Sequence, residues 1–301
     1  MRAEVKRPRA VTRANSFIFT LYGDLVHRTG HDGLWIGTLI ALMDAFGVSE
    51  AAVRQAVSRM SRQGWLAARR DGNRAYYAVT ERGRRRIAEL SPRIYGPVIE
   101  WDGRWRMLTY TVSESQRERR DRLRKELAVL GWVPLSASVW ISPADTLEAA
   151  REAAKSTGAI ETAHLFCGEY CGPLADRELA ARCWDIDGIA SAYREFVARY
   201  EPLLARERSA AEPSGDEEAF VERLWLLYDY RKFTYLDPGL PSELVPAHWP
   251  GTTAAAVFRE YYAALDAKSQ RYFSRVLRET ERGEVASNRP GHAQTRFDSV
   301  G

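Results

Sequence analysis

The sequence predicts an α+β protein in three parts: an N-terminal winged helix-turn-helix over 1–100, a central ferredoxin-like βαββαβ domain over 101–175, and an all-helical domain over 176–280. A tail over 281–301, with Gly, Asn, Pro and Ser, is expected to be disordered. Three observations carry this prediction. An amphipathic helix at 50–63 follows a tight glycine turn and precedes a hairpin signature. Strand-like and helix-like runs then alternate in the order β-α-β-β-α-β. Beyond them come long stretches of helical period rich in aromatic residues.

The N-terminal elements follow from local chemistry. Asn15 or Ser16 can cap a helix from Phe17 to His27, which Gly30 and Gly33 end. Leu34-Trp35-Ile36 is a short strand, and Thr38 to Ala45 a helix burying Leu39, Ile40, Leu42 and Met43. Phe46-Gly47-Val48 is a turn in which glycine suits the left-handed helix stop. Ser49 is a good N-cap for the next helix, Glu50 to Gln63, and Glu50 complements its dipole. Val53, Ala56, Val57, Met60 and Gly64 form one apolar stripe, and Arg54, Gln55, Ser58, Arg59 and Arg62 the opposite face. After Glu50 no acid interrupts that face.

Trp65 to Arg70 and Arg74 to Val79 flank Asp71-Gly72-Asn73, a hairpin turn placed directly after the amphipathic helix. Thr80 caps a very basic helix from Glu81 to Ile94. The pattern suits double-stranded DNA. A helix bearing Arg, Gln and Ser can enter the major groove, where Arg takes guanine bidentately, Gln takes adenine and Ser reaches bases or phosphate. Arg54, Gln55, Ser58 and Arg59 are the candidate readers, and Ser49 at the head of the helix is a further DNA-binding candidate. Arg62, with Arg69, Arg70 and Arg74 of the hairpin, is a candidate for the phosphate backbone.

Charge agrees with this assignment. Residues 1–100 carry 17 Lys+Arg against 9 Asp+Glu, whereas 101–301 carry 27 against 31. A basic first third on an acidic remainder points to a polyanion partner for that third alone. Composition excludes other classes. Three cysteines in 301 residues make no disulfide framework, and the strongest apolar run, Leu34 to Met43, is about half of what a membrane span needs. The basic N-terminus has no apolar region behind it. A cytoplasmic protein without membrane contact is expected.

In the centre, Arg104 to Val112 alternates as a strand, Arg117 to Leu130 is a charged helix, and Gly131 to Leu135 and Ser138 to Ile141 are two strands. Ala144 to Lys155 is a helix after Pro143, and Ala159 to Phe166 the closing strand. His164, Cys167, Cys171 and Cys183 lack the paired spacing of a zinc site, so the thiols are expected to be buried and no metal is expected. The helical part comprises Asp176 to Cys183, Ile189 to Leu204, Glu217 to Phe233 and Ala254 to Arg278. A flexible connection at 210–216 and a proline-ordered loop from Leu236 to Gly251 interrupt it.

Gly37 to Gly64 (GTLIALMDAFGVSEAAVRQAVSRMSRQG), followed by Trp65-Leu66, resembles the PaaX-type regulators, the repressor family of phenylacetate catabolism. So do Tyr230 to Phe233, Leu236 to Pro241, and His248-Trp249-Pro250-Gly251, and the match runs in order over about residues 14–280. The resemblance implies a transcriptional regulator, usually a repressor, that binds operator DNA as a homodimer and is released by phenylacetyl-CoA or another acyl-CoA. No cofactor is implied beyond that effector. An acyl-CoA needs cations beside aromatic surface. Arg104, Arg106, Arg231 and Lys232 can meet phosphates, and Trp184, Tyr193, Trp225 and Tyr228 either line an acyl slot or belong to the core.

The alternative class is an enzyme: a metal-dependent nuclease using Asp102 on the ferredoxin-like domain, or an acyl-CoA thioester hydrolase. One Asp without a partnering acid is poor two-metal chemistry. The five histidines form no triad, and no Gly-x-Ser-x-Gly occurs. No catalytic residue is therefore assigned.

Overall fold

The computed structural model describes residues 14–26, 30–31, 33–96, 100–111, 116–209 and 213–282. The basic arm at 1–13 and the tail from 283 onward lie outside the described residues, as do residues 210–212 of the segment 210–216 expected to be a flexible connection. The chain divides into two compact units. The first takes residues up to Ser91 with Arg199–Asp229 and the chain from Phe258; the second takes Pro92–Ala198 and Tyr230–Val257. The helices of 176–280 are thus shared between the two units.

In the first unit, α1 (Ala14–Leu21) widens into a π-helical turn, Tyr22–Val26. There follow β1 (Leu34–Trp35), α2 (Ile36–Asp44), α3 (Glu50–Arg62), β2 (Leu66–Asp71), β3 (Arg74–Val79) and α4 (Glu81–Tyr95). Helix α2 starts two residues before the expected Thr38 because Ile36 packs inward as its first residue. Gly47 adopts φ +68° in the turn before α3, the left-handed stop that the sequence called for. Ser49 then caps α3, accepting from the Ala52 amide at 3.3 Å. The three strands form an antiparallel sheet in the order β1-β3-β2. Asp71 pairs with Arg74 across a turn where Gly72 takes φ +55°.

The core of this unit draws on both ends of the chain. Phe17, Leu21, Leu39, Leu42, Val53 and Val57 are buried in one cluster with Phe220, Leu224 and Trp225 from α9 (Asp216–Arg231) and Phe273 and Val276 from α11 (Pro250–Glu281). The N-terminal helices are too few to cover their own apolar faces, so C-terminal helices close the core. Arg223 of α9 is fully buried there. It holds the Asp24 carboxylate with Nε and Nη2 (2.6 and 3.0 Å) and Asp266 with Nη1 (2.5 Å), over the Tyr262 ring at 3.8 Å.

The second unit contains β4 (Trp105–Tyr110), α5 (Arg117–Val129), β5 (Val133–Pro134), β6 (Val139–Ser142), α6 (Leu147–Ser156) and β7 (Ala163–Gly168). The four strands are antiparallel in the order β5-β6-β4-β7, the ferredoxin-like arrangement. Leu108, Tyr110 and Trp140 of the sheet bury against Leu123, Leu127, Ala150 and Ala154 of the two helices. Strand β7 begins at Ala163 rather than Ala159 because Ile160–Thr162 forms a 3-10 turn. Helix α7 (Asp176–Cys183), the N-terminal part of α8 (Ile186–Arg208) and α10 (Phe233–Leu236) complete the unit. The cysteines depart from expectation: Cys167 is exposed because β7 keeps its last residues at the surface, Cys171 is exposed beyond the end of that strand, and Cys183 is half-buried at the end of α7.

Candidate nucleic-acid interface

Helix α3 buries Val53, Ala56, Val57 and Met60, and this fixes its rotation. Arg54, Gln55, Ser58, Arg59 and Arg62 all face outward and are exposed, and Ser49 sits at the head of the same helix. Two of the arginines are held. Arg54 pairs with Glu50 one turn back at 2.8 Å. The Arg59 Nη2 donates to Oδ1 of Asn15 on α1 at 3.1 Å. Glu50 is the acid of this face, and Arg54 engages it, so the surface presented outward is donor-rich.

The hairpin arginines separate into two kinds. Arg69 and Arg70 are exposed, with Arg69 near the ring of its cross-strand neighbour Tyr76 at 5.8 Å. Arg74 is half-buried, lies 4.7 Å over the Trp35 ring and donates to the Glu281 carbonyl at 3.0 Å. Its guanidinium is therefore turned toward the end of α11 rather than toward the hairpin tip.

The residues considered for an effector do not share one unit. Trp225 and Tyr228 belong to the first, where both pack on Phe17, Trp225 at 4.6 Å edge-on and Tyr228 at 5.2 Å stacked. The remaining residues belong to the second unit. There Trp184 stacks on Trp105, and Tyr193 stacks on Phe233 at 4.0 Å while donating to Asp237 at 2.8 Å. Burial and the neighbouring Asp237 carboxylate push the Tyr193 phenol well above its ordinary pKa, so it stays a neutral donor. Trp249 meets the Tyr193 ring edge-on at 5.9 Å. Arg106 is buried between Asp102 and Asp145, at 2.8 and 3.2 Å. Arg104 and Lys232 are exposed, and Arg231 is half-exposed.

With this geometry in place, comparison with known proteins is decisive. Residues 13–83 match the family described as PaaX-like protein, 99–180 the PaaX protein central Cas2-like domain, and 184–275 the PaaX-like protein C-terminal domain. The chain is 34% identical over 247 residues to the transcriptional repressor PaaX of Escherichia coli (strain K12), covering 79% of this chain and 76% of that one. The chain belongs to the PaaX family. Among solved structures, the uncharacterized protein Rv0674 from Mycobacterium tuberculosis matches with a TM-score of 0.55 at 22% identity, over 87% of this chain and 98% of that one, and so shares its fold.

Set within the PaaX family, the Asp102 carboxylate is a partner of Arg106, which lowers its pKa through a two-pronged hydrogen bond at 2.8 and 2.9 Å. Among the described residues no group of three or more His, Cys, Asp or Glu side chains converges as a metal site. No helix among them is long and apolar enough to cross a membrane.

Three residues that sequence reasoning left out of the site brace the α3 face and the helix beside it. Asn15, read as a helix cap, lies inside α1 and supports Arg59 instead. Arg82 lies 4.4 Å over the Trp65 ring and donates to the Gln63 carbonyl at 2.9 Å, so α4 secures the C-terminal end of α3. Arg223 holds the π-helical turn that follows α1. Asn15 and Arg223 meet partners 44 and 199 residues away, separations that no local pattern encodes.

Proposed function

We propose that this PaaX-family chain is a DNA-binding transcriptional repressor of phenylacetate or related aromatic-acid catabolic genes, and not an enzyme. Its first unit works as a winged helix-turn-helix: α3 is the recognition helix and β2–β3 the wing. The observation that carries this reading is the α3 face. Arg54, Gln55, Ser58 and Arg59 project side by side from a helix whose other side is buried, with Arg62 continuing the face. These side chains match the donors and acceptors of base edges and phosphates. The repressor name of the 34% identical relative supports the same reading.

The test is binding of the full chain, followed by fluorescence anisotropy, to fragments it selects from a randomised DNA pool and to scrambled controls. Preference for selected over scrambled DNA, with affinity falling steeply as salt rises, is the expected result. Equal affinity for both would overturn the reading. A single α3 makes few base contacts, so a homodimer on a pseudo-palindrome with half-sites about 34–36 Å apart, or a multiple of that, completes the proposal. Light scattering that finds a monomer both free and on DNA would remove the dimer.

The effector in this proposal is phenylacetyl-CoA or another acyl-CoA, taken up by the second unit. The exposed cations Arg104 and Lys232 suit its phosphates, and the Tyr193–Phe233–Trp249 cluster offers aromatic surface. Arg106 is assigned to Asp102 and Asp145 instead, and Trp225 and Tyr228 to the core of the first unit. An effector shifts the DNA equilibrium only through differential affinity, and the coupling is reciprocal. Calorimetry with a panel of thioesters, with free acids as controls, should show weaker thioester binding when operator DNA is present. Equal affinity with and without DNA would refute this mode of release.

A further inference from the structure

Asn15 stands in the first turn of α1, yet its side chain serves α3. Its Oδ1 accepts from Arg59 Nη2 at 3.1 Å. A guanidinium has donors only, so the chemistry settles the orientation of the amide: carbonyl toward Arg59, NH2 away from it. Helix α1 is itself anchored. The turn that continues it carries Asp24, buried and gripped by Arg223 from α9, with the Tyr262 hydroxyl donating to the same carboxylate. Asn15 is thus presented from a helix whose far end cannot drift. Arg62, by contrast, carries no such hydrogen bond among the described residues.

We infer that Asn15 is a specificity-positioning residue: by holding one edge of the Arg59 guanidinium it sets the plane in which Arg59 meets a base. The inference rests on the reading of α3 as a recognition helix. A bidentate contact to guanine O6 and N7 needs the guanidinium plane aligned with the base edge, whereas attraction to a phosphate tolerates almost any orientation. Loss of the Asn15 carbonyl should therefore lower discrimination between sequences more than it lowers attraction to DNA in general. Glu50 holds Arg54 from within α3, whereas Arg59 takes its aim from a second helix.

The experiment uses the full chain and an operator that the wild type selects from a randomised pool. Asn15→Ala should reduce the ratio of operator to scrambled-DNA affinity by roughly three- to tenfold while scrambled-DNA affinity stays within about twofold. Arg59→Ala should lose at least as much, and the Asn15→Ala, Arg59→Ala double variant no more than Arg59→Ala alone, because the two side chains act as one unit. Asn15→Asp keeps an acceptor for Arg59 and should retain the wild-type ratio, although the added negative charge weakens binding to all DNA. Equal loss on operator and scrambled DNA in Asn15→Ala, or multiplicative losses in the double variant, would overturn the inference. A wild type without sequence preference would instead be a failure of the DNA-binding reading, and the inference would fall with it.

Discussion

The arginines of α3 and the arginine of α9 put one side chain to opposite uses. Arg54, Arg59 and Arg62 are exposed, and where they are held, a single neighbour holds them. Arg223 is wholly buried, with donors committed to Asp24, Asp266 and the Tyr262 carbonyl and its plane over an aromatic ring. The first group keeps its hydrogen-bonding capacity for a partner outside the molecule; the second spends it inside. The difference shows what the C-terminal half contributes to the first unit. The surface is N-terminal, but α9 and α11 supply part of the frame that displays it: their apolar residues in the shared core, Arg223 on the turn after α1, and Thr280 bonded to Thr38 at the start of α2.

The largest effect should come from breaking the frame. Arg223→Met leaves the buried Asp24 carboxylate without its cation, and removal of one partner from a buried pair costs about 3–5 kcal/mol. Denaturant unfolding should show a loss of that size. The double variant Arg223→Met, Asp24→Asn, which removes the buried carboxylate charge and leaves the partly exposed Asp266 as the one carboxylate parted from this arginine, should recover much of it. If Arg223→Met unfolded at the wild-type midpoint, the contrast between frame and face would be wrong.

This contrast also explains what the sequence discloses and what it does not. The α3 face was legible because helical period is local: Val53, Ala56, Val57 and Met60 define the buried side, so the exposed side follows. The βαββαβ order was legible for the same reason, with ends shifted by a few residues where Ile160–Thr162 turns as a 3-10 segment or where α6 starts at Leu147. The aromatics of 217–233 were visible as aromatics, but not their destination. Trp225 completes the core around Phe17, and Phe233 lies in the other unit against Tyr193. Asp24 and Arg223 stand 199 residues apart, and no local pattern links them until the fold brings them together.

A smaller change is expected at the face. Arg54→Ala removes a side chain that Glu50 orients but no packing, so stability should hold within about 0.5 kcal/mol, while discrimination at one operator position falls by about 1–3 kcal/mol. Competition binding against operators altered one base pair at a time would locate that position. A uniform loss over all sequences would instead move Arg54 to the phosphates.

Acid should reach the frame through a carboxylate. Glu207 of α8 is half-buried, with its side chain turned away from solvent. Burial alone would raise its pKa, but the Lys268 ammonium and the Ser214 amide and hydroxyl, at 3.0 and 2.7 Å, outweigh burial and lower it. A carboxyl with a lowered folded pKa contributes stability that is fully present above its unfolded value of about 4.3 and is lost as pH falls through the folded value. Unfolding midpoints followed from about pH 6 to pH 3 should therefore drop more steeply for the wild type than for Glu207→Gln, which has no such proton to take up. Parallel curves would mean that Glu207 does not contribute.

The smallest effect sharpens the comparison within the wing itself, where sequence treated Arg70 and Arg74 alike. Arg70 is exposed with no side-chain partner among the described residues, and Arg74 is drawn back over Trp35 onto the last turn of α11. One is placed as face, the other as frame. Arg70→Ala should weaken operator and scrambled DNA by the same factor and reduce the slope of log affinity against log salt by about one, the signature of one lost phosphate contact. Arg74→Ala should leave that slope unchanged and lower the unfolding free energy by about 0.5–1.5 kcal/mol, because it removes a cation–ring contact and a hydrogen bond to the Glu281 carbonyl. The two readouts move in opposite variants, so anisotropy over a salt series and one denaturation curve for each protein suffice. If Arg74→Ala changed the salt slope and Arg70→Ala did not, the guanidinium seen over Trp35 would have to swing out to meet DNA. The end of α11 would then be something that DNA displaces, and no longer a fixed support for the wing.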